Sequence, residues 1–267
     1  MNKSDDKYIM TTVETALSIL EAITEFNDGF NLGELAEKVG ISKSKTYRYI
    51  ETLKKRGYIT RTNVTKKYNS KYHVGLSAYE TGCKLMSKMD LHKKAKPIME
   101  ELVRTTQETV YLVIAKYDKI LFLDKVETNQ KVHTLPFTGK YMAIDSTAAG
   151  LVIRAQSEDD SLPPSELLKV IRDDGWCFDT DVLAHGVSSL AAPVLNENGT
   201  VFASLCIVAP AYRLNSNTLQ NSTVPAQLCE AAERISCNMG YRNHHLLDSY
   251  KPLSPNSQIS GIGYAAL

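Results

Sequence analysis

The residues of this chain best placed to do chemistry lie between positions 42 and 48. Ser42, Lys43, Ser44, Lys45, Tyr47 and Arg48 stand together with only Thr46 between them. The set is rich in donors and positive charge and contains no carboxylate. Lysine and arginine can reach O6 and N7 of guanine, and hydroxyl side chains mostly fix phosphate positions. Eleven basic residues fall between Lys38 and Lys71 and only Glu51 opposes them, so this segment carries +10 in a chain whose net charge is +1. A local block of that size is the electrostatic footprint of a polyanion-binding surface.

Such residues need a rigid element to aim them. Apolar positions at helical spacing predict a helix over 13–26, with Val13, Ala16, Leu17 and Leu20 among its inward residues and Thr12 as its cap. A short helix follows at 32–39, then Gly40 and Ile41 as a tight turn, then a helix capped by Ser42 and closed by Gly57. Helix, glycine-containing turn and helix make a helix-turn-helix, whose second helix enters the major groove. Residues 58–61 and 68–74 read as the strands of a wing whose tip carries Lys66 and Lys67.

The second half changes character. A helix over 97–106, strands over 109–115 and 120–126, helices over 146–156 and 165–173, strands over 187–194 and 201–208 and a closing helix over 220–239 are expected. The boundaries implied are a winged helix-turn-helix domain at 8–74, a linker helix at 75–92, an effector-binding domain at 93–247 and a tail at 248–267.

Several function classes find no support. The five cysteines lack the spacing of a zinc site or a disulfide framework, and the six histidines form no i, i+4 pair with a carboxylate. No phosphate-binding, nucleophile-elbow or zinc-protease motif occurs, and nothing in the spacing supports Cys177 or Cys206 as a nucleophile with His185. No metal, no cofactor and no enzymatic activity are expected. No apolar run approaches the roughly 20 residues a bilayer span needs, and no signal core follows the start. A cytoplasmic, nucleoid-associated protein with no membrane partner is expected.

The same residues carry a resemblance. Leu32-x-x-Leu35-Ala36, Gly40-Ile41-Ser42-Lys43-Ser44, Tyr47-Arg48 and Leu53-x-x-x-Gly57-Tyr58 resemble the DNA-binding domain of the IclR family of bacterial regulators. In the second half, Ser146-Thr147-Ala148-Ala149-Gly150, Asp174-Gly175-Trp176 with Asp179, and the segments 186–194 and 203–210 resemble the family's effector domain. The stretch from Lys125 to Gly139 is most similar to regulators of sugar-acid catabolism.

The resemblance implies an α/β (α+β) chain. An N-terminal winged helix-turn-helix would be joined by a linker helix to a GAF-like domain with a curved antiparallel sheet. It implies a transcription regulator, a repressor or alternatively an activator, that binds a two-fold operator as a homodimer or tetramer. An effector, a small organic acid or sugar acid, would be lined by Ser146, Thr147, Ala148, Asp179, Ser189, Cys206 and Val208. Read on their own, Ser146 equally fits a helix cap, Asp179 a turn cap, and Ser189 and Cys206 small core residues. Ser189 stands where many members have cysteine, and Cys206 and Val208 where many have serine.

Overall fold

A computed structural model describes residues 9–62, 71–156 and 166–242. The chain forms two compact units, Met1–Lys88 and Met89–Leu267. The segment 75–92, read from sequence as one linker helix, is therefore divided. Its helix ends at Met86, Met89 turns to extended backbone (φ −74, ψ 116), and a new helix starts at Asp90.

In the first unit, α1 (Thr11–Ile23), α2 (Leu32–Val39) and α3 (Lys43–Lys55) precede a two-stranded ribbon, β1 (Ile59–Arg61) and β2 (Tyr72–Val74), and then α4 (Leu76–Met86). Asn31 caps α2 reciprocally. Its side chain accepts from the Gly33 and Glu34 N–H groups, while the Glu34 carboxylate accepts from the Asn31 N–H at 2.8 Å. Gly40 ends α2 in the left-handed region (φ 72), which costs glycine least, and this turns the chain sharply into α3. Ile19, Ile23, Phe30, Leu35, Ile50 and Ile59 meet in one core.

Two expectations for α1 need correction. The cap position is Met10, which offers no side-chain bond, so Thr12 lies inside the helix. Val13 and Leu17 are 50% and 54% exposed, and the buried face is Ile19, Ala22 and Ile23. Apolar spacing located the helix correctly, but α1 carries apolar residues on two faces and only one is buried in the core.

The second unit is built on an antiparallel sheet with strand order β5-β4-β3-β8-β7-β6. Its strands are β3 (Thr109–Lys116), β4 (Lys119–Val126), β5 (Tyr141–Ala143), β6 (Cys177–Thr180), β7 (Val187–Leu195) and β8 (Val201–Pro210). Strand alternation sends Val110, Leu112, Leu190 and Ile207 to one face, where α5 (Asp90–Thr106) and α9 (Val224–Asn238) cover them. Tyr111, Val113, Ala191, Cys206 and Val208 point to the other face, with Ala148, Leu151 and Val152 of α6 (Ala148–Gln156) and Ile171 of α7 (Glu166–Asp174). All nine residues of β7 are buried, Ser188 and Ser189 included. The short strands β5 and β6 were not expected. The helix expected over 220–239 is instead α8 (Ser216–Gln220) and α9, which starts late with proline in its first turn.

The small-residue run ahead of α6 has a steric cause. A Cβ built on Gly150 would stand 1.9 Å from the Ile144 carbonyl oxygen, in the 3-10 turn Ile144–Ser146. Backbone cannot yield as a flexible side chain does. Gly150→Ala is expected to destabilise the fold by about 1–3 kcal/mol. Gly82→Ala, in open space within α4, is expected to stabilise it by about 0.5–1 kcal/mol. Urea denaturation of the two variants checks both signs, and equal stabilities would refute the steric reading.

Candidate functional site

Two groups of residues stand out, one in each unit. In the first, α3 is amphipathic in the sense a recognition helix needs. Thr46, Ile50 and Leu53 are buried beneath it. Ser42, Lys43, Ser44, Lys45, Tyr47 and Arg48 are all exposed on its other side. Ser42 occupies the cap position, and its hydroxyl accepts from the Lys45 N–H at 3.4 Å. Of the basic block, Lys38 is held by Glu25 at 2.5 Å and Lys54 by Glu51 at 2.6 Å. Among the described residues, Lys43, Lys45 and Arg48 form no ion pair, so their charge is directed outward. Lys66 and Lys67, expected from the sequence at a wing tip, lie outside the described residues. The strands β1 and β2 pair in the register Ile59↔Val74, Thr60↔His73 and Arg61↔Tyr72.

In the second unit the register of the sheet assembles the other group. Asp179 pairs with Ser189 and Ser189 with Val208, a row across β6, β7 and β8. The next row on the same face is Cys177, Ala191, Cys206 and Tyr111. The first turn of α6 meets the Asp179 row. The Ala148 N–H donates to Asp179 Oδ2 at 2.6 Å, and the Ser189 hydroxyl donates to Asp179 Oδ1 at 2.6 Å. Thr147 caps the helix, its Oγ1 accepting from the Gly150 N–H at 3.1 Å. Thr147, Ala148, Asp179, Ser189, Cys206 and Val208 thus come together, and every one of them is buried.

Ser146 does not join them. It belongs to the 3-10 turn, is partly exposed, and spends its hydroxyl on the Ala143 carbonyl at 2.8 Å. The cap that its position suggested falls to Thr147, one residue on. The Ala148 N–H at the start of α6 is also taken, because Asp179 accepts from it.

The electrostatics of this cluster are unusual. Asp179 is 8% exposed and has no ion pair among the described residues. Burial raises its pKa, with the bonds from Ser189 and Ala148 pulling the other way. Burial also pushes the Cys177 and Cys206 thiols up, and the charge of Asp179 adds to it. Both thiols therefore stay protonated. The His185 side chain is fully exposed beside Asp181, so it does not serve as a base for either one.

Sequence reasoning missed two contacts that shape the site. The Asn31–Glu34 capping box was visible as Asn-x-x-Glu ahead of an apolar run. Ser204, whose hydroxyl donates to the Ala149 carbonyl at 2.9 Å and pins α6 to β8, carried no local signal. Among the described residues, no three His, Cys, Asp or Glu side chains are grouped so as to hold a metal ion. No helix there is long and apolar enough to cross a membrane.

Residues 12–63 match the IclR helix-turn-helix domain, and residues 83–164 and 164–237 match the bacterial transcriptional regulator IclR C-terminal domain. The HTH-type transcriptional regulator KdgR of Escherichia coli (strain K12) is 28% identical over 256 residues, spanning 88% of this chain and 95% of that protein. The DNA-binding transcriptional repressor YiaJ of the same organism is 26% identical over 249 residues, spanning 84% of this chain and 86% of the other. The fold is shared with an IclR homolog from Microbacterium hydrocarbonoxydans solved in complex with 4-hydroxybenzoate. That match has a TM-score of 0.69 at 18% identity and covers 85% of this chain and 98% of that one. With its helix-turn-helix and its second domain both matched, this chain belongs to the IclR family of bacterial DNA-binding transcription regulators.

Proposed function

We propose that this regulator is a repressor that binds a two-fold operator as a homodimer, itself able to pair into a tetramer. Its operator affinity is set by a small organic acid or sugar acid in the second unit. It works in the cytoplasm, on the DNA of the nucleoid. One observation carries the DNA contact: the outward face of α3 from Ser42 to Arg48 presents three cations and no carboxylate. The similarity to a protein described as a repressor supports the sign of regulation.

Dimerisation is supported by apolar surface that the first unit leaves uncovered. Ile9, Met10, Val13 and Leu17 line one side of α1 and its approach, each between 48% and 70% exposed. Leu76, Tyr79 and Leu85 of α4 are 61–70% exposed. A soluble domain seldom leaves so many large apolar side chains bare, and a two-fold partner would cover the α1 side.

The acid is supported by the cluster around Ala148. A carboxylate, that of Asp179, already sits on the first turn of α6, which shows what that turn accepts. An effector acid would take the same donors by exchange, freeing Asp179 and the Ser189 hydroxyl to bind its remaining polar groups. The ligand of the Microbacterium homolog is also a carboxylate.

Three measurements test this reading. Arg48→Glu is expected to abolish gel-shift binding to the regulator's own promoter region while the circular dichroism spectrum stays unchanged; retained binding would remove α3 from the contact. Leu17→Glu is expected to shift the sedimenting species toward monomer and to weaken operator binding by at least tenfold, since a dimer grips two half-sites at once. A dimer of undiminished strength would move the interface elsewhere.

The third concerns pH. The folded-state pKa of Asp179 is raised, so stability is greatest below the unfolded carboxylate value of about 3.9 and falls as pH rises through the folded value. Asp179→Asn keeps an acceptor for Ala148 and removes the charge. Its stability in urea, relative to the parent, should rise over that window and then level off. Parallel pH profiles for the two proteins would show that Asp179 carries no such penalty.

A further inference from the structure

A cavity of about 380 Å³ lies in the first unit between the start of α1 and the flank of α3. Thr11, Thr12 and Thr15 form one wall, and Lys45, Arg48, Tyr49 and Thr52 the other. No carboxylate lines it. At ~30 Å³ per liquid water its volume is about a dozen waters, ample for a phosphodiester group.

The donors are unevenly committed. Thr15 spends its hydroxyl proton on the Thr11 carbonyl at 2.7 Å, and Thr52 spends its own on the Arg48 carbonyl at 2.9 Å. Among the described residues the hydroxyls of Thr11 and Thr12 make no hydrogen bond, and Lys45 and Arg48 make no ion pair. The groove therefore offers the Thr11 and Thr12 hydroxyls, with Tyr49 beside them, and two cations to whatever lies in it.

Geometry says what that is once α3 is in place. A helix with its side chains is ~10–12 Å across, and the major groove is about 12 Å wide. A helix seated there fills the groove, so the sugar–phosphate strands that bound the groove lie against its flanks. Lys45 and Arg48 form one such flank, and Thr11 and Thr12 rise beside them.

We infer that α1 is a second DNA-backbone element, in which Thr11 and Thr12 seat a phosphodiester of the strand bordering the α3 groove and Lys45 and Arg48 supply the opposing charge. This rests on the reading of α3 as the recognition helix. The contact carries no base information; it fixes the register of α3 and acts on every sequence alike.

The test uses the full chain and random-sequence duplex DNA, with affinity followed by fluorescence anisotropy across a salt series. Thr15→Arg places a cation in the groove and removes no free donor. It is expected to steepen the dependence of log K on log salt by about 0.9, the value for one added phosphate contact. Thr24→Arg, at the opposite end of α1, should leave the slope at its parent value. The double variant Thr11→Val and Thr12→Val, close in shape to the parent, should lose ~3–10-fold in affinity with the slope unchanged, because the lost donors are neutral. A Thr15→Arg slope no steeper than that of Thr24→Arg, or a double variant of parental affinity, overturns the inference. If Arg48→Glu still abolishes binding in that case, the recognition-helix reading survives and only the role of α1 falls. A parent chain that binds no duplex removes both.

Discussion

Asp179 is a buried carboxylate with no cation to pair it among the described residues, and the second unit is organised around holding it. A carboxylate withdrawn from water costs several kcal/mol unless its lone pairs are satisfied. Here satisfaction comes from short, charge-assisted bonds to the Ala148 N–H and the Ser189 hydroxyl. They join an edge strand, an inner strand and a helix start through a single side chain. The arrangement ties these three elements together, yet it lacks the Coulombic lock that an arginine would add. Donors that already hold one carboxylate are suited to hold another, provided that the displaced Asp179 finds partners of its own. A ligand shifts a conformational equilibrium only by its differential affinity for the two states, and the proposed exchange would supply that difference, because Asp179 would have to leave its partners for the ligand to take them.

The small residues around α6 gain their meaning from that contact. Gly150 lies against the Ile144 carbonyl, and Ser204 draws the Ala149 carbonyl down to β8. Both hold the first turn of α6 close to the sheet, which is what allows its N–H to reach a side chain of β6. Bulk at either place would lift the helix and leave Asp179 without the Ala148 N–H. The run Ser146–Gly150 is better understood as a condition of close approach than as a set of ligand-binding side chains. Of its hydroxyls, that of Ser146 serves the 3-10 turn and that of Thr147 the helix cap.

How much of this was legible in the sequence follows from the range of each interaction. The order α2, turn, α3 could be read because its determinants are local: apolar spacing, Gly40 at the turn and Ser42 at the cap. The two covered faces of the sheet were legible as long apolar strands. The orientation of α1 was misread because periodicity marks apolar faces without saying whether core or partner covers them. Strand β6 was missed because four residues at a sheet edge carry too short a pattern, and β5 has only three. The Asp179 clamp joins residues 31 apart, and no local pattern reports a bond of that span. The resemblance brought the clamp's members together by position but could not show that the helix start was already occupied.

Charge distribution separates the two tasks further. The +10 between Lys38 and Lys71 lies in the first unit, whereas residues 89–267 hold 16 Lys and Arg against 20 Asp and Glu, a net −4. A polyanion is drawn to the first and repelled by the second, so long-range steering favours approach through the first unit. The same field gives an anionic effector no help in approaching the second unit. Its recognition must come from contacts within a few ångströms, where net charge counts for less than the direction of individual donors. Exchange for Asp179 fits that constraint. In the proposed exchange an incoming acid would replace a charge that the donors of α6 already hold, so those donors would meet one carboxylate before the exchange and one after it. The energy that distinguishes one acid from another would then be left to shape and to the neutral groups around Ser189, Cys206 and Val208.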